Sequence, residues 1–479
     1  MKKVRKKREN WGSGKFLQPL VWPPVLAYAV WLDVYQRFQG VMVPGEFAMA
    51  RFGWTRKWIA LGLAGLAGSG LIAAEPWGQW RGPHHDGTST QERIPLKWSP
   101  NENLLWKIDL PGPGYSTPAV WGDNIFLTCT EGQELLLLCV GTNGKEKWRD
   151  MIGKGNANAR VDEGNSASAS PCADGKHVWS FVSSGDLHCH TADGKRVWSK
   201  NLQKEYGKFN IQFGMHSTPV LHEGKLYLQL LHTGGQWVIC LDAATGDQVW
   251  KVERPSDGRD ECPHSYASPT ICPKADNNPE AYLITHGNDY AVGHSLKDGS
   301  ELWRVTSLNP KEKYNNTLRF VASPVASGGL VVVPTAKNGQ VVALKPNSKG
   351  IFGPGSPNEV WRKPSNTPDV PSPLVLDGLV YLCRENGTLI CLDAVTGEEK
   401  YQERTTSGRF RASPVSVAGH ILVTNRDKGT VTVVKAGPKF EKVAENTLPD
   451  ILAASPAISG PRVYLRGVKS LWCVGEVTR

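Results

Sequence analysis

The stretch Leu241-Asp-Ala-Ala-Thr-Gly-Asp-Gln-Val-Trp250 recurs with few changes as Leu392-Asp-Ala-Val-Thr-Gly-Glu-Glu-Lys-Tyr401. In both copies a turn containing glycine is followed, four residues later, by a large aromatic ring. The same interval separates three further pairs along the chain: Gly144 and Trp148, Gly194 and Trp198, and Gly299 and Trp303. Because glycine supplies the positive backbone angle that a tight hairpin needs, the pattern predicts repeated antiparallel sheets.

Ser-Pro or Thr-Pro steps mark the start of each repeat unit. They end at Pro118, Pro171, Pro219, Pro269, Pro324, Pro373, Pro414 and Pro456, which are separated by 41 to 55 residues. Each unit is long enough for four short strands and their turns. The spacing therefore predicts eight units of about the same structure.

The last unit offers three strand segments after Pro456, so a fourth strand would have to come from elsewhere in the chain. Residues 103–109 have the form of a unit's last strand, although they precede the first proline step. Pairing this segment with the last unit would close a ring and protect its sheet edges. We therefore predict an all-β fold: a single eight-bladed β-propeller of four-stranded antiparallel blades over residues 103–479, with an N-terminal strand completing the last blade.

Large aromatic residues recur at one place on the outer strand of the units. We expect these rings to wedge between neighbouring sheets and to bury about 150–250 Å² each. The predicted docking residues are Trp106, Trp148, Trp198, Trp250, Trp303, Trp361 and Tyr401.

The repeat and its aromatic docking position resemble the pyrroloquinoline-quinone (PQQ)-type propeller repeat over residues 103–479. The resemblance implies one of two functions. One is that of the non-catalytic, BamB-like propellers of the outer-membrane barrel-assembly machinery. The other is that of the quinone-dependent periplasmic dehydrogenases, whose propeller holds PQQ and calcium. The segment Trp77-Gly-Gln-Trp-Arg-Gly-Pro83, within a lead-in spanning residues 75–102, resembles the opening of secreted relatives.

Signatures of catalysis are missing from the sequence. It has no adjacent cysteine pair, no Cys-x-x-Cys-His haem motif and no Gly-x-Ser-x-Gly elbow. We therefore expect a non-catalytic binding or scaffold protein without a cofactor, which engages a protein, an envelope polymer or a small polar ligand. The alternative is the quinone-dependent dehydrogenase, with Arg319 or Arg411 holding the quinone carboxylates.

Polar residues just before the proline steps are candidates for a ligand site. In a propeller these positions lie at the mouth of the central channel, so residues distant in sequence converge there. The candidates are His216, His264, Tyr266, Arg319, Asp369 and Arg411. They could bind an anion or another polar ligand. The alternative is a solvated mouth crossed by salt bridges, such as Arg411 with Asp369 or Asp450.

The cysteines and histidines give weaker signals. Of ten cysteines, five occupy one equivalent position on the third strand of their units: Cys139, Cys189, Cys240, Cys391 and Cys473. We interpret these as small buried side chains, since equivalent positions in separate blades lie too far apart to bridge. Disulfides between Cys129 and Cys139 or between Cys383 and Cys391 stay open as alternatives. His188 and His190 could ligate a metal, but we expect none because no third ligand is near in sequence.

The net charge of +10 is concentrated at the N-terminus. Residues 1–57 contribute +8 of it, so the remaining chain is close to neutral. This distribution argues against a nucleic-acid partner.

Residues 49–74 combine a cationic start, a short apolar run and Ala73-Ala74, which is a signal-peptide pattern with cleavage after Ala74. An uncleaved anchor is the alternative. Residues 1–48 then precede a complete signal, so we expect a non-native extension from a mis-assigned start, with translation beginning at Met49. No cysteine follows the apolar run until Cys129, so a lipoprotein is not expected. The mature protein is expected to be periplasmic or secreted, monomeric, and without stable membrane insertion.

Overall fold

The computed structural model describes residues 75–476, which form eight antiparallel sheets arranged as blades around a channel. The predicted extension (1–48) and signal peptide (49–74) lie outside the described residues. In each blade the innermost strand has only two or three residues, and the innermost strands of successive blades contact one another. The predicted fold class, an all-β eight-bladed propeller, is confirmed.

Blades are numbered here in chain order, and their strands run from the channel outward. Blades 1 to 4 consist of β2 (Ala119–Trp121), β3 (Asn124–Glu131), β4 (Glu134–Gly141) and β5 (Glu146–Lys154); β6 (Cys172–Ala173), β7 (His177–Phe181), β8 (Asp186–Thr191) and β9 (Arg196–Asn201); β10 (Val220–His222), β11 (Lys225–His232), β12 (Gly235–Asp242) and β13 (Gln248–Glu253); and β14 (Thr270–Cys272), β15 (Tyr282–Gly287), β16 (Tyr290–Ser295) and β17 (Glu301–Val305).

Blades 5 to 8 continue the same order. They consist of β18 (Val325–Ser327), β19 (Leu330–Val333), β20 (Val341–Leu344) and β22 (Glu359–Lys363); β23 (Leu374–Leu376), β24 (Leu379–Cys383), β25 (Thr388–Asp393) and β26 (Glu399–Arg404); β27 (Val415–Val417), β28 (His420–Asn425), β29 (Thr430–Lys435) and β30 (Lys442–Thr447); and β31 (Ala457–Ser459), β32 (Arg462–Arg466), β33 (Ser470–Val474) and β1 (Leu104–Asp109). Within the described residues, helix is limited to α1 (Arg160–Glu163), α2 (Leu202–Tyr206) and a 3₁₀ turn (Lys311–Lys313).

Blade 8 joins both ends of the described chain. Strand β1 lies antiparallel to β33, with Trp106 opposite Cys473 and Lys107 opposite Trp472. The outer edge of β33 is therefore covered by the first strand of the described residues.

Blade 4 departs from the predicted four strands. A fifth strand, β21 (Gly350–Phe352), pairs in parallel with β17, placing Gly350 opposite Trp303. This strand comes from the long connection that precedes Trp361 in blade 5. The sequence shows the extra length of that connection, but its pairing depends on contacts with the neighbouring blade.

A ring of hydroxyl groups ties the blades together around the channel. Each proline step carries a serine or threonine immediately before its proline, and we call these eight residues the hydroxyl belt: Thr117, Ser170, Thr218, Ser268, Ser323, Ser372, Ser413 and Ser455. From blade 1 to blade 7, the belt residue's backbone N–H donates to the belt hydroxyl of the next blade, at 2.8–3.2 Å. The belt thus satisfies backbone donors that the blades' own ladders leave free.

Most of the predicted docking aromatics make one recurring contact with the next blade. The indole N–H donates to a backbone carbonyl in the neighbouring turn at 2.9–3.0 Å, pairing Trp106 with Thr142, Trp148 with Ala192, Trp198 with Ala243, Trp250 with Leu296, and Trp361 with Ala394. The ring also lies against the glycine of that turn. A Cβ on Gly246 would stand 2.9 Å from the Trp198 ring. Glycine is therefore required for close approach as well as for its backbone angle.

The other two predicted docking residues pack differently. Trp303 is buried against Phe352, with ring centroids 6.3 Å apart, because β21 replaces the usual turn beside it. Tyr401 packs edge-on against Phe440, with centroids 5.6 Å apart. Within residues 75–476, neither the indole N–H of Trp303 nor the hydroxyl of Tyr401 has a hydrogen-bond partner.

All ten cysteines are buried free thiols, including Cys129, Cys139, Cys383 and Cys391, so neither candidate disulfide is present. The five equivalent cysteines lie directly across the ladder from a docking aromatic, as Cys240 does from Trp250 and Cys473 from Trp106. Gly293 and Ala343 fill the same position opposite Trp303 and Trp361. The position needs a small side chain because a ring lies beside it.

No helix within residues 75–476 is both long and apolar enough to cross a membrane.

Replacing Ser372 with alanine should lower the free energy of unfolding by about 1–3 kcal/mol, because the Ser323 N–H would lose its buried acceptor. Urea unfolding followed by tryptophan fluorescence measures the change. Ser199→Ala, on the exposed face of β9, is the matched control and should change little. An equal effect of the two substitutions would contradict a stabilising role for the belt.

Gly246→Ala should destabilise the protein by about 1–3 kcal/mol more than Gly224→Ala. Both glycines have positive φ, at 77° and 71°, so both variants carry the same backbone strain. Only the Gly246 substituent would meet an indole ring, whereas nothing lies within 4 Å of the position at Gly224. Thermal melts of the two variants isolate the docking contact, and equal melting temperatures would show that it contributes nothing.

Candidate functional site

The lead-in closes one end of the channel. We call residues 75–91 the plug, and its backbone pairs with blades 1 and 2: Val120 N–H donates to Trp77 O at 2.8 Å, and Ala173 N–H donates to Gly78 O at 2.7 Å. The Gln79 amide contacts both backbone groups of Leu221 in blade 3. These contacts fix the plug against the innermost strands.

The remaining blades hold the plug from the opposite side. Arg81 is buried and donates to Pro414 O at 2.8 Å and to Pro373 O at 2.6 Å, while Asp86 accepts from Ser327 Oγ at 2.7 Å. Thr270 and Ser459 donate to backbone carbonyls of the plug. Burial lowers the pKa of the Arg81 guanidinium to about 10, which leaves it charged at neutral pH. The plug therefore contacts all eight blades.

The other end of the channel opens into a cavity of about 350 Å³. Five of the six predicted ligand residues line it: His216, Tyr266, Arg319, Asp369 and Arg411. Further lining residues not among those six include Tyr115, Arg160, Glu163, Phe213 and Lys337. A smaller chamber of about 150 Å³ is lined by the hydroxyl belt and by Trp80 of the plug. The cavity therefore belongs to a channel that the plug blocks.

His264 is the predicted residue that does not line the cavity. Its Nε2 lies 2.9 Å from Thr233 Oγ1, in the connection between β11 and β12. Its position before a proline step led to the prediction that it lines the mouth, but its side chain contacts blade 3 instead.

Two of the three arginines that line the cavity, Arg319 and Arg411, are paired with carboxylates. Arg319 contacts Glu261 and lies over the Phe213 ring, with its guanidinium carbon 5.0 Å from the centroid. Arg411 pairs with Glu163, with Nη2 donating to Oε1 at 3.0 Å. The alternative of a mouth crossed by salt bridges named Asp369 or Asp450 as the partner of Arg411; salt bridges are present, but Arg411 pairs with Glu163. Asp369 instead accepts from the backbone N–H of Lys337, and Asp450 from those of Lys469 and Ser470.

Histidine adds no positive charge to this mouth at neutral pH. Burial lowers the pKa of His216 and of His264 below the ordinary 6.5, outweighing the hydrogen bond to Phe213 O in the first and the nearby Glu261 in the second. His216 Nε2 lies 2.5 Å from Phe213 O, and Nδ1 lies 3.4 Å from Ser183 Oγ. A neutral ring protonated at Nε2 donates to the Phe213 carbonyl, while the Ser183 hydroxyl donates to Met215 O at 2.8 Å. Burial also raises the pKa of Tyr266 to about 12, so its phenol stays protonated.

Glu163 is a lining residue that interacts with several arginines. Its burial alone would raise its pKa, but the hydrogen bond and charge of Arg411, with Arg409 and Arg426, hold the pKa below its ordinary value. Sequence reasoning missed Glu163 because it comes from a loop of blade 1, more than 240 residues before Arg409 and Arg411. The acidic dipeptide Asp162-Glu163 before a proline step was its only sequence signal.

The part of the chain that the structure describes does not bring together a set of side chains that could bind a metal ion. No group of three or more His, Cys, Asp or Glu side chains there is placed to hold an ion. The His188 and His190 rings stack with centroids 5.9 Å apart, and His190 Nε2 lies 2.7 Å from Asp150 Oδ2. These two histidines therefore form a packed pair on β8.

A model described as outer membrane protein assembly factor BamB matches residues 183–350 and 289–474, together more than half of the chain. No curated protein sequence matches the chain significantly.

Solved structures show the same fold at low sequence identity. BamB from Moraxella catarrhalis is 12% identical with a TM-score of 0.57, covering 78% of this chain and 99% of its own. Quinohemoprotein alcohol dehydrogenase from Comamonas testosteroni is 13% identical with a TM-score of 0.58, covering 84% and 81%. Sqt1 from Saccharomyces cerevisiae is 11% identical with a TM-score of 0.57, covering 79% and 100%.

The His216 imidazole should titrate below pH 6.5, because burial disfavours its charged form. Since the unfolded chain would bind this proton first, the contribution of His216 to stability is present above pH 6.5 and falls on acidification. Nuclear magnetic resonance of protein labelled on histidine, with His216→Gln for assignment, measures the titration. A midpoint above 6.5 would contradict this prediction and would mean that burial does not govern the titration of His216.

Proposed function

Because this chain belongs to the PQQ-type β-propeller repeat family, whose matching model is described as outer membrane protein assembly factor BamB, we propose that it is a non-catalytic scaffold that holds a partner protein at its channel mouth. The scaffold acts as a monomer in the periplasm or outside the cell, in keeping with the signal pattern of residues 49–74. The partner inserts a side chain or a short segment into the cavity.

The observation that carries this proposal is a blocked channel with an aromatic mouth. Tyr115, Phe213 and Tyr266 come from different blade connections and line one cavity of about 350 Å³. That volume lies at the lower end of the range for binding sites, about 300–1,000 Å³. Aromatic and arginine side chains are the residues that most often anchor protein interfaces. The plug leaves the mouth as the side from which a partner can enter.

The pairing of the mouth's polar groups supports binding over catalysis. Arg319 and Arg411 are held by carboxylates, and His216 is tied to a backbone carbonyl. A general base or nucleophile needs a free, activated group within reach of a substrate, whereas each of these three side chains already has another partner.

The quinone-dependent dehydrogenase has weaker support. PQQ with calcium would need carboxylate ligands for the ion, and no such donor group converges within residues 75–476. The ten cysteines are separate buried thiols, so the vicinal disulfide typical of those dehydrogenases has no equivalent here. The residues present do not fit this cofactor. Absorbance titration with PQQ and calcium should give no saturable change, and a saturable spectral shift would favour the dehydrogenase.

The scaffold proposal is tested by photo-crosslinking in cells that make this protein. Benzoylphenylalanine replaces Ala453, which lines the cavity, or Val395, which is exposed on the outer turn of blade 6 and serves as the control. We expect a protease-sensitive adduct from position 453 and none from position 395, because the partner enters the mouth. Tyr266→Ala in the same chain should reduce the adduct several-fold.

Three results would contradict the scaffold proposal. They are no adduct at position 453, equal adducts at both positions, or an adduct that Tyr266→Ala does not reduce. An adduct that resists protease would indicate that the partner is an envelope polymer and not a protein.

A further inference from the structure

One loop of blade 1 reaches across the channel mouth to blades 6 and 7. We call residues 159–164, in the connection between β5 and β6, the strap; it contains the short helix α1. Its base is a backbone bridge between Asn158 and Asn165, and Ala159 N–H donates to Gly164 O at 2.9 Å. The strap is therefore the tip of a narrow loop.

The strap is held by two carboxylates seated among three arginines, Arg409, Arg411 and Arg426. Arg409 contacts both acids, with Nη1 lying 3.3 Å from Asp162 Oδ1 and 3.0 Å from Glu163 Oε1. Arg411 contacts both oxygens of Glu163. Arg426 donates to Asp162 O and lies 3.5 Å from its carboxylate. The two acids thus occupy a site built by residues about 250 positions further along the chain.

The strap's own backbone does little to hold it there. Helix α1 has four residues and no side-chain cap at its start. Arg160 and Asp162 have positive φ, at 51° and 59°, which side chains other than glycine adopt at a cost. Its position therefore depends on the ion pairs at its tip.

The arginines would be under-neutralised without the strap. Asp427, which contacts Arg409 and Arg426, would then be the one carboxylate paired with the three guanidinium groups in the described residues. Arg426 is 1% exposed, so its charge cannot be satisfied by water. A second buried guanidinium, Arg466, packs against Gly114 beside Tyr115, and its Nε and Nη2 have no partner within residues 75–476. Without the strap's carboxylates, this side of the mouth would hold several buried guanidinium groups with few compensating anions, which is unfavourable.

We propose that Arg409, Arg411 and Arg426 form a binding site for paired carboxylates of an acidic protein segment, and that Asp162 and Glu163 occupy this site as an internal stand-in. This inference rests on the proposed scaffold function and names the chemistry of its partner. Planar guanidinium groups bind carboxylates through parallel hydrogen bonds, as Arg411 binds Glu163. An incoming acidic segment replaces each ion pair of the strap with an equivalent one.

Competition by the strap determines the affinity. Because the strap is attached to the protein, its carboxylates compete at an effective concentration that is on the order of millimolar. Removing the strap's charges should therefore expose the site and tighten the binding of an external acidic peptide.

The test uses the full protein and fluorescein-labelled deca-glutamate, with deca-glutamine as the neutral probe, followed by fluorescence anisotropy. The double variant Asp162→Asn/Glu163→Gln should bind deca-glutamate at least tenfold more tightly than the unchanged protein. Adding Arg411→Ala to the double variant should reverse this gain in affinity. If Arg411→Ala disturbs folding, Arg409→Gln, at a more exposed arginine, replaces it. Circular dichroism melts establish that each variant is folded.

Glu398→Gln is the matched control, because it removes one carboxylate from an exposed ion pair with Lys400 far from the mouth. It should leave the affinity unchanged. Three results would overturn the inference. They are an equal gain in affinity from Glu398→Gln, no gain from the strap variant, and binding that the arginine substitutions do not weaken. If the peptide test fails while position 453 crosslinks to a partner, the acidic site is wrong and the scaffold function stands. If the peptide binds as expected while position 453 gives no crosslink, the scaffold function is wrong and the acidic site stands.

Discussion

The hydrogen bond from one blade's backbone to the next blade's hydroxyl is the interaction on which this molecule depends. Proline has no backbone N–H, and it holds the residue before it in an extended conformation. From blade 1 to blade 7, the N–H of that serine or threonine donates to the hydroxyl of the equivalent residue in the following blade. The belt therefore fixes the spacing of the innermost strands, and with it the channel that the plug closes and the cavity opens into.

The outer part of the ring uses the same principle with different groups. An indole N–H meets a turn carbonyl of the next blade, a glycine gives the ring room, and a small residue lies opposite it on the neighbouring strand, as Cys240 does opposite Trp250. Blade 8 depends on this arrangement most, because Trp106 on β1 contacts the turn of blade 1 while β1 pairs with β33.

The fold could be predicted from the sequence because similar local sequence patterns recur in the eight units. The intervals from Gly246 to Trp250 and between proline steps are local signals, and they predicted eight blades and the position of Trp106. They could not predict β21, whose parallel pairing with β17 depends on a neighbouring blade. The role of Arg81 was also missed, since its acceptors, Pro373 and Pro414, lie about 300 residues away.

The sequence predicted which side chains lie at the channel mouth better than it predicted which ion pairs they form. Position relative to the proline steps brought His216, Tyr266, Arg319, Asp369 and Arg411 to one cavity, whereas the partner of Arg411 was missed because the strap crosses the mouth from blade 1.

Whether β1 closes the ring can be measured by hydrogen exchange monitored by mass spectrometry. A closed ring predicts that the β1 amides that are hydrogen-bonded to β33 exchange as slowly as the amides of β33. Fast exchange in β1 beside a protected β33 would mean that blade 8 is open and that the ring, with its mouth, is not formed as described.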